Sequence, residues 1–484
     1  MLNQLKNFSV IACQIILLLI CLVGAILHYD HLDKIPYGFH VDEMAASVDI
    51  GCMDTEGVDA HNIKNPVFSN LNYGTPKPPT YIYPAMLWAK FFGFTVASLR
   101  AFSVTCHLLG IIGIFFLSRL FFGWQCALLT ITVASLSPWT WGMSRVAFES
   151  LMAPTCVIWG LFLFFKSPKA ASTIISGLFF AAAMYCYPPF RLQTPLMILT
   201  LMIFGIYQYR RSLLSWFIFL LSIILPSIPL IRKTLSGELQ GRFNNISIFS
   251  KDYLTMIHSP GHFGDIVKIF INNYLLHFKV DFLFLSGDPS YVHSTRHFGI
   301  LGWLDMAALA IGILFLIMLI NPSERKNNPI IKNAPLLIFF IVNILLGVTP
   351  AALTNSELPN ALRITGSWAF MCLLCGFLLW QACERWWPIW IAICIVSILF
   401  ASAYLNVYFK KFPEEGKGMF SYWTLDQANG LHSDQDWLTF LYFYRHYDYN
   451  ARYFFMQYRG LSCTQSRVLW EGFRDYLIKN NQYN

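Results

Sequence analysis

Long apolar stretches alternate with short polar ones along most of the chain. Runs long enough to cross ~30 Å of hydrocarbon as helix occur at about 9–28, 101–121, 125–143, 150–166, 171–187, 193–208, 213–231, 299–320, 334–350, 362–381 and 388–408. The pattern predicts an all-α polytopic membrane protein with about 11 transmembrane helices. The first run is long for the core of a secretory signal, and no small-residue cleavage site follows it. It is expected to remain as a membrane helix.

A further run, Tyr81–Phe94, reads YIYPAMLWAKFFGF and is interrupted by Pro84 and Lys90. Whether it crosses decides the side of every later loop. With a cytoplasmic N-terminus and a run that stays in the interface, the short cytoplasmic loops carry Lys6, Arg119, Lys166, Lys169, Arg210, Arg211, Arg325, Lys326, Lys332 and Arg385. Their acids are Glu324 and Glu384. If the run crossed, the loops with Arg119, Lys166, Arg210 and Arg325 would all move outside. The positive-inside rule therefore predicts an interfacial helix at 81–94, with Tyr81, Tyr83 and Trp88 at headgroup depth.

This topology puts three polar segments on the outer side: 29–80, 232–298 and 409–484. Residues 1–408 form the transmembrane domain, with 29–80 as its first outer loop and 232–298 as its large one. Residues 409–484 form a small extracytoplasmic cap, rich in aromatics (FLYFYRHYDYNARYFFMQY). Most acidic residues then lie outside, and so does any chemistry.

Composition agrees with the pattern. Of 484 residues, 56% are hydrophobic and 12% charged, about half the ~25% charge of soluble domains. A soluble enzyme, a disordered chain and a disulfide-rich secreted module are excluded. The net charge of +8 comes with no long basic run, so no nucleic-acid partner is implied. Of the 12 cysteines, only Cys52 and Cys463 lie in polar segments, and a bridge between them is compatible with the sequence. Cys372 and Cys375 have redox spacing but sit inside an apolar run.

The few outer charges are the candidate chemistry. The first outer loop contains Pro36-Tyr-Gly-Phe-His-Val-Asp-Glu43. On spacing alone, Asp42 and Glu43 are either a base and its helper or the solvated start of a helix with Asp42 as cap. The same loop ends in Gly74-Thr-Pro-Lys-Pro-Pro79, which holds Lys77 between prolines, as a phosphate ligand or as an ordinary headgroup-level lysine. Arg100, Arg145, Glu149, Arg191 and Arg363 stand at the outer mouths of runs. Together they describe an anion site beside a carboxylate pair. Asp288 lies in a Gly-Asp-Pro turn. His293 and His297 have helical i,i+4 spacing, and His40 neighbours Asp42, but no recognisable metal-ligand set exists. No metal or other cofactor is required by this reading. Asn245-Ile-Ser247 is a formal glycosylation acceptor.

Taken in order, these motifs resemble the GT-C membrane glycosyltransferases, in the branch of the protein O-mannosyltransferases and the lipid A aminoarabinose transferase. The likeness runs from the first helix to about Leu405. It is carried by GFHVDE, PKPP with the following interfacial run, LRAFSVTCHLLG, FFGWQCALLTITVASLSPW, SRVAFE, GDPSY…HFGILGW and LPNALRITG. The resemblance implies a GT-C-like bundle with outer-face interfacial helices. It implies an enzyme that moves a hexosyl or pentosyl group from a polyprenyl-phosphate donor to a hydroxyl of a glycan, lipid or protein, by single displacement. Asp42 would be the base, with Glu43 holding acceptor or sugar. Lys77, Arg100, Arg191 and Arg363 would bind the carrier phosphate, and His40, Arg145, Glu149 and Asp288 would contact donor or acceptor. Arg145 and Glu149 depart from the aminoarabinose transferases, which carry an outer-facing Asp there. The expected location is the bacterial cytoplasmic membrane, with the C-terminus outside. The rival class is a transporter or flippase, which would need ionisable groups near the midplane. Asp305 is the nearest example.

Overall fold

The structure, a computed structural model, describes residues 2–68, 77–208, 212–322, 328–420, 452–453, 455–456 and 460–479. Arg210, Arg211, Glu324, Arg325, Lys326, Gly74–Pro76 and the aromatic stretch up to Ala451 lie outside the described residues. All eleven apolar runs are helical. The helices are α1 (Leu2–Leu27), α2 (Val41–Glu56), α3 (Pro79–Phe92), α4 (Val96–Phe122), α5 (Trp124–Ser135), α6 (Pro138–Ser144), α7 (Met152–Lys166), α8 (Ala170–Cys186), α9 (Phe190–Gln208) and α10 (Leu213–Leu235). The large polar loop holds α11 (Gly241–Ile246), α12 (Lys251–Met256) and α13 (Phe263–Leu276). Then come α14 (Trp303–Ile317), α15 (Ala334–Leu346), α16 (Trp368–Arg385), α17 (Ile389–Asn406) and the C-terminal α18 (Cys463–Lys479). Among the described residues there are no strands, only two isolated bridges.

Among the described residues, seven segments are long and apolar enough to cross a membrane, and four shorter apolar helices, α5, α7, α8 and α9, complete the eleven runs. α16 is the most enclosed and packs on α5, α14 and α15. α1, α10 and α14 leave most of their apolar side chains exposed, as lipid-facing helices do. α17 does not stop at residue 408. It continues as wider and tighter turns to Phe420.

Two details position the polar face. The run 125–143 is two helices rather than one. Pro138 lacks an N–H and its ring excludes the preceding turn, so α5 ends at Ser135 and α6 begins with Pro138. The short α6 delivers Arg145 to the end of α1. The second detail is α3. Just before it, Lys77 Nζ lies 3.8 Å from Asp42 at one end of α2. Near its other end Lys90 Nζ lies 3.4 Å from Asp54, two residues from the end of α2. Between them the Tyr83 hydroxyl donates to Pro66 O at 2.8 Å. α3 therefore runs alongside α2.

Close helix approach depends on small residues. A Cβ on Gly177 of α8 would lie 2.9 Å from Phe219 O and from Ser222 Cβ of α10. Gly177→Val is expected to lower the thermal unfolding midpoint in nanodiscs through an overpacking cost of about 1–3 kcal/mol. Gly264→Ala, at a site with nothing within 4 Å, should leave it unchanged.

Candidate active site at the start of the first polar helix

α2 begins with a capping box. His40 is the N-cap, and its Nδ1 accepts from Asp42 N at 3.2 Å. Glu43 Oε2 accepts from His40 N at 2.8 Å. The helix-start reading of the acidic pair is therefore correct in kind, but His40 is the cap and Asp42 lies in the first turn.

The two neighbouring carboxylates have opposite surroundings. Glu43 is fully buried and receives Arg100 Nε at 2.9 Å, Arg100 Nη2 at 3.0 Å and Ala147 N at 2.8 Å. Arg100 also donates to Leu32 O, Pro36 O and Gly38 O at 3.0, 2.9 and 2.6 Å. All five of its N–H groups are used, so it has none left for a carrier phosphate. Glu43, saturated in turn, has no free oxygen for a sugar. Both expectations are corrected: the pair is a structural clamp.

Arg145 is corrected because both its Nη groups are spent on backbone carbonyls, while its buried Nε has no partner among the described residues. It is fully buried and donates to Leu27 O, His28 O, Asp30 O and Ile35 O at 2.5–3.1 Å. It fastens the loop after α1 and is not placed to touch substrate.

Asp42 keeps 34% of its side chain exposed. It faces Lys77, which is nearly buried and lies 3.6 Å from Glu149 Oε2 on its other side. That Glu149 oxygen is buried and accepts no hydrogen bond from any described residue. Burial pushes the Asp42 carboxyl up, but Lys77, His40, Arg242 and His293 together outweigh it and hold it below the usual aspartate range. Burial pulls the Lys77 ammonium down, but Glu149 and Asp42 together raise it above its usual value. Burial lowers His40, which leaves it neutral and suited to accepting the cap bond.

The facing wall comes from the large polar loop and the segment before α16. Asp288 is buried and accepts from Ser290 N and Ala361 N at 2.8 and 2.6 Å. Its second oxygen lies 3.2 Å from His293 Nδ1. It staples the GDPSY turn to the LPNALR segment, so both oxygens expected to meet donor or acceptor are taken up by protein groups. His277 Nε2 accepts Asn360 N at 3.1 Å, with burial lowering its pKa to about 4. Arg363 Nη1 donates to Thr354 Oγ1 and Ser356 O, and its Nη2 meets Glu357 at 3.1 Å. Burial lowers its pKa. Arg191 reaches only Leu239 O, at 3.5 Å, and its buried Nε has no described partner.

Arg242, at the start of α11, lies in the polar outer segment 232–298 and carries no motif that marks it in the sequence. It is exposed, yet its charge acts on Asp42, Lys77, Tyr187 and Arg363. Backbone bonds from Ile248 N to Leu353 O and from Asn355 N to Ile246 O fix α11 against the Arg363 segment.

His293 and His297 are not on a helix. They lie in a turn segment, and His297 pairs with Glu415 at 2.7 Å. Among the described residues, no three His, Cys, Asp or Glu side chains converge as a metal site. An apolar groove of about 310 Å³ lies between α1 and α17, reaching Trp141 and Tyr404. None of the site's charged residues lines it.

No family model and no curated protein matches the chain. Among solved structures, ArnT from Cupriavidus metallidurans bound to undecaprenyl phosphate is similar at a TM-score of 0.47 and 12% identity, over 95% of this chain and 75% of that one. The archaeal oligosaccharyltransferase AglB from Archaeoglobus fulgidus, in complex with an inhibitory peptide and a dolichol-phosphate, is similar at 0.45 and 12%, over 91% of this chain and 58% of that one. This chain thus spans a little over half the length of that oligosaccharyltransferase. Both proteins are GT-C glycosyltransferases.

Glu43→Gln keeps the shape but removes the charge that Arg100 requires. Stranding a buried guanidinium should cost about 3–5 kcal/mol, read as a lower unfolding midpoint. If the midpoint is unchanged, the clamp reading is wrong.

Proposed function

We propose that the chain is a membrane glycosyltransferase that moves a sugar from a polyprenyl-phosphate donor to an acceptor hydroxyl at the outer face. One observation carries the reading: a nearly buried lysine stands between one carboxylate that is a third exposed and one that is largely enclosed, at the mouths of apolar helices. The donor phosphate would bind Lys77 and Arg242, with Arg191 and Arg363 in the wall behind. Asp42 takes the acceptor proton as the hydroxyl attacks C1 and the polyprenyl phosphate leaves. The fixed cations stabilise that departing charge without any requirement for a metal. Holding donor and acceptor together lowers the barrier further.

Asp42 starts as a weak base because Lys77, with His40, Arg242 and His293, holds its pKa down against burial. An arriving phosphate shares the charge of Lys77 and so weakens its hold on Asp42. Donor binding thereby raises the basicity of Asp42 just where the acceptor will sit. Glu149, on the other side of Lys77, has an oxygen free to accept from a sugar hydroxyl.

The disulfide between Cys52 and Cys463 supports an outward orientation of this polar face, because such bonds persist in oxidising compartments. The transporter reading loses its best residue, because Asp305 caps its own helix by accepting Gly302 N at 2.8 Å.

Asp42→Asn is expected to abolish transfer while the protein stays inserted. Mass spectrometry of envelope glycans and lipids from cells with the wild type, with the variant and without the protein checks this. Loss of one sugar from a defined molecule in the last two supports the reading. Unchanged glycans with altered solute uptake overturn it.

The pH profile gives a second test. Since the Asp42 pKa is depressed, the carboxylate persists below its ordinary value of 3.8. By the same linkage its stabilising contribution is present above the unfolded value and lost only as pH falls through the folded one. The kcat/KM of the free enzyme should therefore hold through pH 5, with any acid limb from Asp42 below about 3.8.

A further inference from the structure

The C-terminal helix is bonded to the helix that carries Asp42. Cys463, the first residue of α18, is joined to Cys52 in the second half of α2 across 411 residues of sequence. The bond is one of several attachments. Glu56, the last residue of α2, accepts Thr464 N at 2.9 Å and also receives the Thr464 hydroxyl. The buried Arg452 donates to Ala60 O at 2.7 Å and lies 3.5 Å from Cys463 Sγ.

Contacts reach the other end of α2 as well. The Tyr453 ring lies 5.0 Å from Phe39, the residue before the His40 cap. Phe39 in turn lies under the Arg100 guanidinium at 5.6 Å. Phe39, Met44 and Val48 form, with Tyr453, Phe455 and Trp470, a small core separate from that of the bundle. The opposite side of α2, through Ala46, Ile50 and Met53, packs on α3 and α4. α2 is thus held between the bundle and the C-terminal segment.

We propose that the C-terminal segment is a clamp, closed by the Cys52–Cys463 bond, that sets the tilt and rotation of α2 and so the placement of Asp42 against Lys77. The Glu43–Arg100 pair pins the start of α2, while the far half meets the bundle through apolar packing and the partly exposed Lys90–Asp54 pair. The C-terminal attachment covers the side of α2 that the bundle leaves unheld. Neither cysteine touches the site, so both are positioning residues. Closing the bond removes two electrons and two protons from two thiols, taken up by a disulfide oxidant of the outer compartment. A dithiol reductant returns them and opens the clamp. Full competence would therefore be reached only after export of both segments.

The proposal rests on the reading of Asp42 and Lys77 as the transfer site, and its test separates the two. Amide hydrogen exchange is followed on full-length protein in nanodiscs. Untreated wild type is compared with dithiothreitol-treated wild type and with Cys52→Ser/Cys463→Ser. Exchange over 41–56 should quicken at least tenfold while α4, α7 and α16 keep their protection. In cells, the double variant should yield at least fivefold less of the product that depends on Asp42, at equal protein level. Faster exchange confined to 460–479 overturns the clamp, as does loss of protection through α4 and α16, which marks global destabilisation. Faster exchange in α2 with undiminished product also overturns it. If no product depends on Asp42, the transferase reading fails and the exchange pattern alone decides the clamp. Reduction of folded wild type covers the case in which the serine variant fails to insert.

Discussion

The buried pair between Arg100 and Glu43 is the interaction on which the polar face depends. At the membrane boundary, irregular backbone has little water to bond its carbonyls, and each unpaired group is costly. Arg100 supplies donors to three such carbonyls in the loop between α1 and α2, and Glu43 supplies the charge that makes burial of the guanidinium tolerable. Arg145 serves four more carbonyls of the same loop. Two arginines on α4 and after α6 thus shape a loop that has no regular structure of its own. The start of α2, and with it Asp42, is located by that shape.

Adjacent carboxylates end with different tasks because one helical residue turns through about 100° to the next. Glu43 points into the clamp and loses contact with solvent. Asp42 points to the open side and keeps a third of its surface. The same division runs through the cations. Arg100, Arg145 and most donors of Arg363 serve protein groups, whereas Lys77 and Arg242 are bound mainly by field. A mobile anion competes successfully only for cations of the second kind. Lys77 is poised because two carboxylates share it at 3.6 and 3.8 Å, distances longer than a tight ion pair. It is held in place without being saturated.

The facing wall shows how distant motifs become one surface. Asp288 and His277 lie in the large loop, and Ala361 and Asn360 lie before α16, yet each pair is joined by a backbone N–H aimed at a buried side chain. These bonds set where Arg363 stands and, through α11, where Arg242 stands. The side chains that looked reactive in sequence here hold the wall together.

The apolar pattern by itself determined the helical membrane architecture, since hydrophobic length and the cost of unpaired backbone in lipid leave few other solutions. Charge asymmetry predicts that 81–94 stays at the interface; the structure adds that this helix runs alongside α2. The motifs around Asp42, Lys77 and Glu149 marked residues that do come together. The division of labour among them was decided by tertiary structure alone. Sequence shows that an arginine stands at a helix mouth, but not whether carbonyls from another segment will use up its donors. Arg100, Arg145 and Glu43 therefore read as ligands, and Arg242 does not stand out at all. The break at Pro138 lies between these cases, visible as a proline but decided by how the chain must turn to bring Arg145 onto α1. Periodicity and charge act along the chain and are legible in it. Hydrogen-bond saturation depends on partners tens to hundreds of residues away, which only the folded chain brings within 3 Å.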